Sequence, residues 1–148
     1  MASIDKVKKV FVGLTKNPSG KKILEEHNQN IQFEVGKDIG KSLSLTKKKG
    51  DEFFVVKIKK GKIVVTRGKI PWPPPKKPYP TREFLENTWI KVNRDIFDML
   101  LGYEENMSPI DAYYQQTYYV SGMNTRPDVV SWIHRMFRKI QELKLALK

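Results

Sequence analysis

The chain has 148 residues, enough to bury a full core within one domain, and 39% of them are hydrophobic and 30% charged, as in a globular protein that stays in water. It has no cysteine, which excludes disulfides, thiolate chemistry and zinc–cysteine sites together. No apolar run approaches the length that crosses a bilayer, and the first residues show no basic-then-apolar leader, so the expected location is the cytoplasm. The lysine-heavy composition also fits a thermophile.

The net charge of +12 is unevenly placed. Residues 1–80 hold 19 Lys and Arg against 7 Asp and Glu, while residues 81–148 hold 9 of each. The second part instead carries 10 of the 16 aromatic residues and four of the five methionines. A basic half of this kind creates a field that attracts anions, such as phospholipid headgroups or nucleic acid; the plainer alternative is a solvated lysine surface.

In chain order, Ile4, Val7, Val10, Phe11 and Leu14 fall at helical spacing over residues 3–14, with Ser3 as the expected cap. Asn17-Pro18 starts a short second helix running to about His27. From Ile31 the period changes to two, and Ile31, Phe33 and Val35 predict a half-buried strand. Leu43 and Leu45 predict another, followed by a turn at 48–51. The clearest hairpin pairs 52–59 with 62–67, because both runs are β-branched or aromatic and Lys60-Gly61 lies between them. Successive strands with short turns predict an antiparallel meander, and flanking helices make the class α+β.

The proline run 71–80 cannot supply ladder donors. It reads as a stiff inserted loop whose Trp72 and Tyr79 pack back on the body, within a single domain spanning 1–148. Alternation over 84–92 predicts a further strand. Asn93 then caps a helix over 94–101 that Gly102 stops. Ser108-Pro109-Ile110-Asp111 is a helix start, Thr117-Tyr118-Tyr119-Val120 a short strand and Gly122 a breaker. The last helix carries Val129, Val130, Trp132, Ile133, Met136, Phe137, Ile140 and Leu143 on a broad apolar face. That face is wider than a surface helix needs.

Catalytic patterns are missing. There is no His-Glu-x-x-His, no Gly-x-Ser-x-Gly, no phosphate loop and no dinucleotide fingerprint. His27 ends a predicted helix, and His134 is expected on the solvent side of the last one. The expected protein is therefore not an enzyme and has no catalytic residues, cofactor or metal. What remains is apolar: Phe97, Met99, Leu100, Tyr113, Tyr114, Trp132, Met136 and Phe137 suit either a core or an adaptable pocket.

The hairpin Lys57-Ile58-Lys59-Lys60-Gly61-Lys62-Ile63-Val64-Val65-Thr66-Arg67-Gly68, the strand and glycine-ended helix at 93–102, and the helix–strand–glycine order over 108–122 resemble the sterol carrier protein 2 family of small lipid-binding domains. The resemblance covers roughly residues 20–145. Gln115-Gln116, where a small or basic pair is usual, the tyrosine-rich strand and the inserted proline run depart from it, and Ala146-Leu147-Lys148 is not a peroxisomal address. The resemblance implies a mainly antiparallel sheet of about five strands covered by helices on one face, with a long C-terminal helix. It also implies an apolar tunnel for fatty-acyl, sterol or other apolar ligands, lined by Phe97, Leu100, Leu101, Ala112, Tyr113, Trp132, Met136 and Phe137. Non-catalytic lipid binding or carriage is thus the leading expectation, with docking on anionic membrane through the lysine-rich half. The alternatives are an accessory or scaffold subunit of an enzyme complex, and a nucleic-acid module that uses the basic N-terminal half and stacks bases on Phe53 or Phe54.

Overall fold

A computed structural model describes residues 2–39, 49–72, 82–123 and 125–148, the side chain of Glu83 excepted. The expected strand at Leu43 and Leu45, Tyr79 and most of the proline run lie outside the described residues. The class is α+β. Helices α1 (Ser3–Thr15) and α2 (Pro18–Leu24) precede β1 (Gln29–Gly36) and the hairpin β2 (Glu52–Lys59) and β3 (Lys62–Arg67). Then follow α3 (Arg82–Glu86), β4 (Asn87–Asn93), α4 (Arg94–Leu100), α5 (Pro109–Tyr114), β5 (Tyr118–Val120), α6 (Pro127–Glu142) and a terminal 3₁₀ turn, Leu145–Leu147.

The five strands form one sheet in the order β3-β2-β1-β4-β5. Three of the four pairings are antiparallel, but β1 and β4 run parallel, with Phe33 opposite Ile90 and Val35 opposite Val92. This corrects the simple meander. A parallel partner requires a crossover, and the chain makes it through the segment that contains the proline run and α3. The hairpin turn is as read: Lys60 and Gly61 both have positive φ, which matches the twist of the flanking strands. The strand expected over 84–92 begins only at Asn87, because residues 82–86 coil into α3 with an Arg82–Glu86 ion pair one turn apart (2.6 Å).

Alternation gives the sheet two unlike faces. Ile31, Phe33 and Val35 of β1, Phe54, Val56 and Ile58 of β2, Ile90 and Val92 of β4, and Tyr118 and Val120 of β5 face the helices and form the main core. Phe33 is its hub, with ring centroids 5.2 Å from Phe54, 5.3 Å from Phe97 and 6.4 Å from Phe137. The helix α6 closes this layer with Val129, Val130, Trp132, Ile133, Met136, Phe137 and Ile140 all buried. Trp132 ties it to α2 by donating its Nε1–H to Ile23 O (2.6 Å). α2 in turn lies so close to α1 that a Cβ on Gly20 would sit 2.7 Å from the Leu14 carbonyl oxygen.

The capping residues differ from the reading in physical detail. Asn17 caps α2 as expected, its Oδ1 accepting from Ser19 N (3.0 Å) and Gly20 N (3.2 Å). Asn93 and Ser108 occupy cap positions without a side-chain cap bond. Ser3 is inside α1, after the N-cap Ala2, and donates its N–H (3.0 Å) and its hydroxyl (2.9 Å) to the Glu52 carboxylate on β2. Arg94 also bonds this carboxylate. Burial pushes the Glu52 carboxyl up, but the bonds from Arg94 and Ser3 outweigh it and hold the group below the usual range.

The second face is covered in part as well. Trp72 packs back as expected, 4.5 Å from the Trp89 ring and 5.8 Å from that of Phe84. Trp89 donates its Nε1–H to Ile70 O (2.9 Å), and Ile70 N donates to Gln32 Oε1 (2.7 Å), so residues 70–72 are pinned across β1 and β4.

Candidate functional site

The expected lining residues do come together. Phe97, Leu100, Leu101, Ala112, Trp132, Met136 and Phe137 are all buried in the main core, contributed by α4, the residue after it, α5 and α6. Tyr113 is the outlier, half-buried at the edge of this core with its ring 6.0 Å from that of exposed Tyr114. The other rings lie at ordinary aromatic packing distances, Phe54–Phe97 at 6.0 Å and Tyr118–Phe137 at 6.3 Å.

Beside this layer, between α5 and α6, runs a groove of about 260 Å³. Pro109, Ile110, Met123 and Val130 give it an apolar wall, and His134, Arg135 and Arg138 give it a basic one. The sequence pattern explains both walls. Val130, His134 and Arg138 repeat at four residues along α6 and so stand one above another. α5 is short and buries only Pro109 and Ala112, which leaves Ile110 exposed beside the groove.

His134 corrects the expectation of solvent exposure. It is 7% exposed and its Nε2 lies 3.1 Å from the Tyr118 hydroxyl in a buried pair. Burial pushes the imidazole down to about 4 and pushes the Tyr118 phenol far up, so both are neutral at pH 7. A neutral pair at the base of the groove joins it to the core, because Tyr118 belongs to β5 and touches Phe137. The signal was present in the sequence: position 134 follows Val130 by four and precedes Phe137 by three.

The two groove arginines are not equivalent. Arg135 is spent on a two-bonded pair with Glu26 of 2.6 and 2.8 Å, and that carboxyl is held below its usual range chiefly by the Arg135 hydrogen bonds. Arg138 is exposed and makes no ion pair or hydrogen bond with the described residues. It is the cation available to a ligand in this groove.

The basic half supplies a second surface. Lys8, Lys9, Val12, Lys16, Leu145 and Lys148 line a shallow groove of about 590 Å³ between α1 and the C-terminal turn. Val12 and Leu147 are exposed within the same basic surroundings. Two aromatic residues bear on the nucleic-acid expectation. Phe54 is buried in the core, and Phe53 carries the Lys69 ammonium 4.2 Å above its ring. Among the described residues no helix is long and apolar enough to cross a membrane. Comparison of the chain with protein families, curated proteins and solved structures gives no match.

Proposed function

We propose that the protein binds fatty-acyl chains, sterols or similar apolar molecules without covalent chemistry, between the sheet and its C-terminal helices, in the manner of the sterol carrier protein 2 family. The observation that carries this reading is the α5–α6 groove, apolar on one wall, with Arg138, unpaired among the described residues, on the other and the buried Tyr118–His134 pair at its base. Leu100, Ala112, Met136 and Phe137 do not line the groove but are packed in the core beside it, so an apolar chain reaches them only if α5 moves outward. Burial supplies the affinity, at about 0.8 kcal/mol per methylene. Arg138 supplies a partner for an acidic or phosphorylated head.

Organic extraction of the purified protein followed by mass spectrometry is expected to release a co-purifying lipid. The delipidated protein is expected to bind the fluorescent fatty acid cis-parinarate at micromolar concentration or below. Arg138→Glu should weaken that binding about fivefold to thirtyfold, since the head loses a charge-assisted bond worth about 1–2 kcal/mol. Absence of parinarate binding by the wild-type protein excludes the reading.

A carrier must also meet its donor and acceptor membranes, and the α1 groove suits that role. Lysines near an anionic bilayer contribute about 1 kcal/mol each. The protein is expected to float with phosphatidylglycerol vesicles and not with phosphatidylcholine vesicles. Replacing Lys8, Lys9 and Lys16 by glutamate should abolish flotation; retention would place the membrane contact elsewhere.

A further inference from the structure

The face of the sheet turned away from α6 contains a lysine with nothing to hold it. Lys91, in the middle of β4, is fully buried, and its Nζ has no hydrogen-bond partner among the described residues. Its register neighbours on that face are Glu34 of β1 and Tyr119 of β5. Glu34 does not pair with it; one carboxylate oxygen, Oε2, accepts from Gly50 N at 2.6 Å. Buried Gln32, by contrast, is bonded to Ile70 N (2.7 Å), and buried Ser121 accepts from Trp89 N (2.9 Å). Buried polar groups are almost always partnered, and a buried cation without an acceptor loses its hydration with no return.

Two residues back on the same face, about 7 Å along the strand, is Trp89. Its ring is met by Trp72 at 4.5 Å, tilted by 55°, and approached by Phe84 at 6.1 Å. Trp72 is half exposed and is positioned by these ring contacts, so this aromatic cluster reaches the surface. A buried ammonium without an acceptor, two residues from a part-exposed cluster of aromatic rings, is the recognition chemistry of a flat acid.

We propose that Lys91 is the counter-ion for a small aromatic carboxylate bound on this second face, with the acid on Nζ and the ring against Trp72 and Trp89. A monoanion fits better than a phosphate, because there is one cation to match and the Glu34 carboxylate stands next to it in register. The site lies across the sheet from the lipid layer and stands or falls independently of it.

The test is titration of 2-naphthoate into the ¹⁵N-labelled protein, following the indole N–H signals. The signals of Trp72 and Trp89 are expected to shift saturably while that of Trp132, on the other face, stays in place. The neutral 2-naphthamide should leave all three unmoved. Lys91→Met is expected to weaken naphthoate binding at least tenfold, and Trp72→Ala, a change at a half-exposed side chain, about fivefold. Naphthoate that leaves Trp89 unmoved overturns the proposal. Equal shifts with the amide, unchanged affinity in either variant, or displacement of naphthoate by equimolar inorganic phosphate do so as well.

Discussion

Replacing Trp132 by alanine is expected to lower the unfolding free energy by about 3–5 kcal/mol, a large part of the stability of any domain this size. The side chain is fully buried in α6 and fills the space between that helix, α2 and the His27 ring, whose centroid is 5.1 Å away. Alanine removes both this packing and the Nε1–H bond to the Ile23 carbonyl. Trp132→Phe separates the two contributions: it keeps most of the apolar volume and should cost about 1–2 kcal/mol, mainly for the hydrogen bond. Urea denaturation followed by circular dichroism measures both variants. A loss below about 1 kcal/mol for the alanine variant would mean that α6 does not seal this end of the core.

Stability is expected to fall as pH drops from 6.5 towards 4, and His134 is the cause. Its pKa is about 4 folded against 6.5 for the free side chain. Between those values the unfolded chain binds a proton that the folded chain refuses, so each step down in pH favours unfolding. The contribution is complete above 6.5 and gone below about 4, on the order of 3 kcal/mol in all. Glu26 and Glu52, whose folded values are depressed, also lose stability on acidification. Their effect begins lower, as the unfolded carboxyls start to titrate below about pH 5. The interval from 6.5 to 5 therefore isolates His134. His134→Gln, which keeps a polar partner for Tyr118 but cannot titrate, should flatten the midpoint of urea unfolding across that interval. A wild-type midpoint constant from pH 6.5 to 5 would contradict the buried pair.

The parts of this fold that were legible in the sequence are those decided by local chemistry. The Lys60-Gly61 turn, the seven-position apolar face of α6 and the Asn17 cap each follow from a few adjacent residues. The crossover was not legible, because parallel pairing of β1 with β4 depends on residues more than 50 positions apart, such as Val35 and Val92. Phe84 misled the alternation because α3 is a single turn, too short to show a helical period. For the candidate site, the apolar inventory falls together in one buried layer. The groove beside it depends on which polar residues share a stripe with Val130, and His134 goes astray because its four-residue spacing to Arg138 suggests the polar side while the same spacing links it to buried Val130. Lys91 alternates with Ile90 and Val92 and so belongs on the face away from the helices. That this face is itself covered follows only from residues 70–72 crossing it.

One measurement addresses directly whether a chain-shaped apolar ligand lies against α6. Uniformly ¹³C-labelled palmitate bound to the unlabelled, delipidated protein allows isotope-filtered nuclear Overhauser contacts to be assigned. Contacts from the acyl methylenes to Ile110, Val130 and Met136, with the carboxyl end near Arg138, are the expected result. Contacts confined to Val12 and Leu147 on the basic surface, or none at all at saturating palmitate, would contradict it.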